Sequence, residues 1–132
     1  MSGETIVVID DAPANLDLLL VLLGSLGYRV IGAPNGILGL QEVERHRPAL
    51  LLVDVELPDI DGYTILRKLR ANAEFHSMPI IAVTAFAMPG DALRGAAAGF
   101  DDYLTKPINI EALPKRVERA LTARRLLGLS NR

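Results

Sequence analysis

The sequence predicts an α/β fold built on a doubly wound, five-stranded parallel sheet with five helices. Three observations lead there. Short apolar runs alternate strictly with helical patterns, the connections are short, and several runs are apolar without a break. An unbroken run is the mark of a strand covered on both faces. Strict alternation with short links implies parallel strands, right-handed crossovers and helices on both faces of the sheet.

The first strand spans Thr5–Asp10, and the helix after it covers Ala14–Leu26, with Pro13 suited to an early helical position and Gly27 to the residue past the end. Tyr28–Ala33 is the second strand; Ile37–Arg45 is the second helix, stopped by Pro48. The third strand, Ala49–Asp54, is an apolar run that closes on a carboxylate. Asp61-Gly62 reads as a turn, with Gly62 easing an unusual backbone angle, before the helix Tyr63–Asn72. Met78–Thr84 is the fourth strand, opened by Pro79, and Asp91–Ala98 the alanine-rich fourth helix. Asp101–Leu104 is polar enough to be an edge strand, whereas the first, third and fourth belong at the centre. The last helix, Glu111–Leu127, holds one conflict. Pro114 lies about a turn inside it if Asn109 is the N-cap, so the helix starts later or its first turn is irregular. Residues 1–127 form one domain on this reading, and 128–132 a frayed tail or linker stub.

At 132 residues the chain fits one compact domain. A hydrophobic share of 50% with 23% charged residues is globular composition. The net charge of −2 gives no basic field for nucleic acid and no polybasic membrane patch. Basic residues near the C-terminus (Lys115, Arg116, Arg119, Arg124, Arg125) are diluted by Glu111 and Glu118 and read as a solvated helix face. The absence of cysteine rules out disulfides, thiolate nucleophiles and sulfur metal sites. No signal peptide is visible, and the apolar run Leu16–Leu26 is too short and too interrupted to span a bilayer. A soluble cytoplasmic protein without membrane insertion is expected.

In open parallel sheets, sites form beyond the carboxyl ends of the strands. Asp10, Asp11, Asp54, Thr84 and, just past the fifth strand, Lys106 should therefore share one rim. Two carboxylates about 4 Å apart repel by roughly 4 kcal/mol at an effective dielectric near 20. Three together call for a cation, and oxygen ligands without His or Cys favour a hard one such as Mg²⁺. A carboxylate, a hard dication, a lysine and a hydroxyl suit phosphoryl transfer. Asp54, alone at the end of a central strand, is the best nucleophile; Asp10 and Asp11 more naturally hold the metal.

At this point the chain resembles the receiver domains of two-component response regulators. The motifs are Asp10-Asp11 with Asn15, Asp54 with Leu57-Pro58-Asp59-Ile60-Asp61-Gly62, Thr84-Ala85, and Tyr103-Leu104-Thr105-Lys106-Pro107. Each is weak alone; in this order on this frame they are highly specific. The stretch Ala85 to Asp91 is most similar to stand-alone receivers and those of hybrid kinases. The resemblance implies a flavodoxin-like strand order, 2-1-3-4-5. It implies that Asp54 accepts a phosphoryl group from a histidine kinase or histidine phosphotransfer protein, and that the chain catalyses only its own phosphorylation and dephosphorylation. Mg²⁺ would be held by Asp11, Asp54 and the Glu56 backbone carbonyl, with Asp10 mostly through water. Lys106 and Thr84 would bind phosphoryl oxygens, and Lys106-Pro107 would be a cis peptide. Tyr103 would turn inward as Thr84 moves, reshaping the face of the fourth helix, fifth strand and fifth helix for a downstream protein target. Glu56 is acidic where many receivers are uncharged, and Phe86 is bulky; both are expected to tune the lifetime of the acyl phosphate.

Plainer readings compete. Asp11 alone could cap the first helix, Thr84 could be an ordinary strand-end threonine, and Tyr103 an edge-strand aromatic. His46 and His76 read as surface residues. Among functions, a receiver excised from a larger hybrid kinase or multidomain regulator is the nearest alternative. A Mg-dependent aspartyl-phosphate phosphatase of the haloacid-dehalogenase type wants a second aspartate where Glu56 stands and a cap for which the chain is too short. A flavodoxin-like electron carrier wants a phosphate loop where Asp10-Asp11 stand.

Overall fold

In the computed structural model, which describes residues 3–85 and 88–130, five strands form within a residue or two of where the sequence predicts them. They are β1 (Thr5–Ile9), β2 (Arg29–Ala33), β3 (Leu50–Asp54), β4 (Ile80–Thr84) and β5 (Asp102–Thr105). Between and after them come α1 (Pro13–Ser25), α2 (Gly36–His46), α3 (Gly62–Arg70), α4 (Asp91–Ala98) and α5 (Ala112–Ser130). The sheet order is β2-β1-β3-β4-β5 and every pairing is parallel, the order and sense expected. β1, β3 and β4 are indeed central.

Alternate residues of the central strands feed two separate cores, as the pleat demands. Val7, Ile9, Leu51, Val53, Ile80 and Ala82 pack under α2 and α3, joined by Phe75 and Phe100. Ile6, Val8, Leu50, Leu52, Ile81 and Val83 pack under α1 and α5, against Leu19, Leu23, Leu113, Val117 and Leu121. Each fully buried Leu or Ile contributes roughly 1.5–3 kcal/mol relative to exposure, so the doubly covered sheet is the source of stability. No helix among the described residues is long and apolar enough to cross a membrane.

Several local expectations change. Gly62 does not relieve a backbone angle: it is the first residue of α3, and a Cβ there would lie 2.8 Å from Val55 Cα and 2.9 Å from the Asp54 carbonyl oxygen. Glycine is required for close approach. Asp61 is more than a turn residue, because its carboxylate accepts the Thr64 N–H at 2.8 Å and caps α3. The Pro114 conflict is resolved by a late start. A turn over Asn109 precedes α5, whose first residue is Ala112, so Pro114 sits in the first turn, where no intrahelical N–H partner exists. α5 continues through Ser130, so Gly128, Leu129 and Ser130 are helical rather than a frayed tail, and Asn131 and Arg132 lie outside the described residues. His76 is exposed as expected, but His46 is half-buried at the end of α2, 3.7 Å from Glu42.

Candidate functional site

Register brings the acids together. Ile9 lies beside Val53, and Asp54 beside Val83, so Asp10 just past β1 and Asp54 at the end of β3 reach the same rim. Thr84 ends β4 on that rim, opposite Thr105. Asp10, Asp54 and Thr84 are 2%, 5% and 1% exposed, whereas Asp11 points to solvent. Oxygens of Asp10, Asp11 and Asp54 all lie within 4.8 Å of one another. Asp11 does not cap α1, whose N-cap is Ala12 without a side-chain hydrogen bond.

Each buried carboxylate has specific partners. Asp10 Oδ1 accepts the Ala12 N–H at 2.9 Å, and Asn15 donates its amide to Asp10 Oδ2. Asp54 Oδ1 accepts the Glu56 N–H at 2.9 Å. Lys106 Nζ donates to Asp54 Oδ2 at 2.8 Å and lies 3.0 Å from Asp10 Oδ2. The lysine is itself placed by backbone: its N–H donates to the Thr84 carbonyl at 2.8 Å, and the Lys106-Pro107 peptide is cis. Desolvation works against the Lys106 ammonium, but hydrogen bonds and charge attraction from Asp54 and Asp10 outweigh it and hold its pKa above the ordinary lysine value.

The charges do not balance. Three carboxylates face one ammonium, and the donor set is oxygen only. That composition fits a hard divalent cation, the group expected from sequence.

Glu56 is exposed, and among the described residues it makes no ion pair; it lines a cavity of about 530 Å³ together with Tyr63, Arg94 and Tyr103. Tyr103 is half-buried and lies against this cavity. Burial first, then the Tyr63 hydroxyl and the Glu56 charge, push the Tyr103 phenol up, with Arg94 opposing. Its ring faces Phe100 edge-on, as Phe100 does Tyr63. Phe86 lies outside the described residues. Sequence reasoning assigned no work to Asn15 or Asp59, yet Asn15 holds Asp10 and Asp59 holds the head of α2. Their only sequence signal was membership of the motif runs.

The sequence model of the response regulator receiver domain matches residues 6–118. The chain belongs to that family. As a receiver domain it is a phosphorylation-activated signalling switch. It is 36% identical over 107 residues to the polar-differentiation response regulator DivK of Brucella anthropi, an alignment covering 81% of this chain and 87% of DivK. It is 39% identical over 119 residues to RpaA of Synechocystis, a DNA-binding dual master transcriptional regulator, covering 90% of this chain but 49% of RpaA. Among solved structures, the receiver domain of the sensor histidine kinase PA1611 of Pseudomonas aeruginosa superposes with a TM-score of 0.83 at 37% identity, covering 92% of this receiver and 99% of that one. That structure has a magnesium ion coordinated in its active-site cleft. A CheY-like receiver domain protein of Methanospirillum hungatei superposes with a TM-score of 0.85 at 31% identity, over 94% of this chain and 98% of that one.

Proposed function

We propose that Asp54 is the phosphoacceptor of this receiver, taking its phosphoryl group from a phosphohistidine on a histidine kinase or phosphotransfer protein. The observation that carries the reading is the buried Asp54 carboxylate, held by Lys106 Nζ at 2.8 Å on a rim with excess negative charge. An Asp54 oxygen attacks phosphorus, the new O–P bond forms as the N–P bond breaks, and the electron pair stays on the imidazole, which is then protonated. Lys106, in contact with both buried carboxylates, moves with little rearrangement to the arriving phosphoryl oxygens, and Thr84 offers its hydroxyl from the neighbouring strand end. Asp11, Asp54 and the Glu56 carbonyl would hold Mg²⁺, with Asp10 beside them; the ion supplies positive charge that offsets the carboxylates and the transferred group.

The new dianion draws Thr84 and Lys106 toward it, and Tyr103 on the next strand follows, so the face of α4, β5 and α5 presents a changed surface to a downstream protein. Glu56 and Phe86 set how long the acyl phosphate survives, a reaction the chain promotes on itself.

Incubation with acetyl phosphate and Mg²⁺, followed by intact-mass measurement, tests the acceptor. The expected result is a mass gain of one phosphoryl group that disappears in Asp54→Ala. No adduct on the wild-type chain, or an undiminished one on the variant, overturns the assignment.

A further inference from the structure

The loop between β3 and α3 forms one wall of the acid rim, and it is pinned at both ends. Gly62 N–H donates to the Val55 carbonyl at 2.8 Å, and Glu56 N–H donates to Asp54 Oδ1 at 2.9 Å. Its crown is pinned from outside. Asp59 Oδ1 accepts the Gly36 N–H at 2.8 Å, and Asp59 Oδ2 accepts the Ile37 N–H at 2.8 Å. These belong to the first turn of α2, where N–H groups have no partner within the helix and negative charge is favoured.

α2 already has a cap of its own, since Asn35 Oδ1 accepts the Leu38 N–H at 2.9 Å. Asp59 therefore does something further: it ties a loop at the acid rim to the head of a separate helix. The seat is tight. A Cβ on Gly36 would meet the Ile60 carbonyl oxygen at 2.9 Å and Asp59 Oδ1 at 3.2 Å, so only glycine lets the loop close on the helix. Partial desolvation opposes the Asp59 charge, but N–H donors from Ile37, Gly36 and Ile60 outweigh it and keep the carboxyl below its ordinary range. Apart from the clasp, Leu57 and Ile60 fix the loop by packing against the core.

We propose that Asp59 is a positioning residue for the acid site: by clasping α2 it fixes the Glu56 peptide against Asp54 and so sets the affinity for a divalent cation. The inference rests on the reading of Asp10, Asp11 and Asp54 as a cation site. A ligand set that includes a loop peptide tolerates drift of that loop poorly. Groups that orient ligands from outside commonly change metal affinity by 10–100-fold, so roughly tenfold is expected for this clasp.

Calorimetric titration of the folded proteins with MgCl₂ is the test, with wild type, Asp59→Ala, Asp59→Asn and Asn35→Ala compared. Asp59→Ala should weaken Mg²⁺ binding roughly tenfold. Asp59→Asn, which keeps one acceptor oxygen, should fall between it and wild type. Asn35→Ala removes a cap from the same helix end without touching the loop; it should lower the Tm and leave Mg²⁺ affinity unchanged. Unchanged affinity in the Asp59 variants overturns the clasp alone. Equal weakening in Asn35→Ala also overturns it, because the effect then belongs to α2 stability. A wild-type chain that does not bind Mg²⁺ overturns the clasp and the cation site together. Should Asp59→Ala fail to fold, Asp59→Asn decides by the same criteria.

Discussion

At the amino-terminal end of the sheet, Arg70 meets Asp101 at 3.0 Å and Arg116 grips Asp102 with both ends of its guanidinium. At the carboxyl end, Lys106 is the one cation among the described residues that meets Asp10 and Asp54, with Asp11 close by. In the first rim each carboxylate has an arginine of its own, and Arg70 also ties backbone, donating to the carbonyls of Phe75, His76, Met78 and Gly99. The second rim is left with surplus negative charge in a more buried setting. Carboxylates matched one to one by guanidinium groups hold elements together, whereas clustered carboxylates in excess are a standing cost that a bound cation removes. The difference separates scaffold from site without reference to any motif.

The largest expected effect comes from deleting the Lys106 ammonium from the acid rim. Lys106→Ala leaves Asp10 and Asp54 buried without their ammonium, which should cost about 3 kcal/mol in metal-free buffer. Mg²⁺ should restore much of that loss, because saturation of the folded state at about a hundred times Kd adds roughly 2.7 kcal/mol. Asp102→Ala at the other rim leaves Arg116 able to hydrate and should cost about 1 kcal/mol, with no special response to Mg²⁺. Urea unfolding with and without MgCl₂ makes the comparison. Identical Mg²⁺ responses of the two variants would erase the distinction between the rims.

A smaller effect lies in pH. Lys106 is held above its ordinary pKa, so its contribution is complete below the unfolded value, about 10.4, and is lost as pH rises through the folded value. Asp102 behaves oppositely. Burial resists its charge, but Arg116 bonding, the Tyr103 N–H and the charges of Arg116 and Arg119 outweigh that and lower its pKa. Its contribution is complete above the unfolded value, about 3.9, and is lost as pH falls through the lowered one. Melting temperatures of wild type and Asp102→Asn should therefore converge only on the acid side of pH about 4. Convergence at neutral pH would mean that the Arg116 pair does not hold the fold.

How legible these rims were in the sequence follows from what each depends on. Asp54 could be read because it closes an uninterrupted apolar strand, and parallel topology then places Asp10, Thr84 and Lys106 beside it. The extra turn of α5 was hidden by Gly128, a residue that usually signals an end; the helix passes through it to Ser130. Gly62 signals a turn in the sequence, whereas the lack of room against Val55 that requires it is a tertiary fact. Arg70 reaches the Gly99 carbonyl and Asp59 the head of α2, both more than twenty residues away, and no local pattern marks a side chain that will bond a distant helix or loop. Strand ends are local chemistry carried by topology; clasps arise only from tertiary packing.

The smallest stability effect sharpens the comparison most, because it asks whether the side of the acid rim next to Tyr103 is built to move. Gly95 is buried within α4, and a Cβ there would come within 2.6 Å of Tyr103 Cδ2. Alanine favours the helix over glycine by roughly 1 kcal/mol, while the ring must give way. It has room, since the cavity of about 530 Å³ lies beside it between Glu56, Tyr63 and Arg94. Gly95→Ala should therefore change stability by less than about 1 kcal/mol yet move the ring off its packed position against Gly95. Burial is the leading cause of the raised Tyr103 pKa, so a ring displaced from its packed position into the open cavity should titrate closer to ordinary tyrosine. Phenolate absorbance of Gly95→Ala and wild type, with Tyr63→Phe to remove the hydroxyl partner, reads this directly. A strongly destabilised Gly95→Ala would show Tyr103 to be locked as firmly as the Arg116–Asp102 pair, and the proposed switch would have to reside elsewhere on the rim.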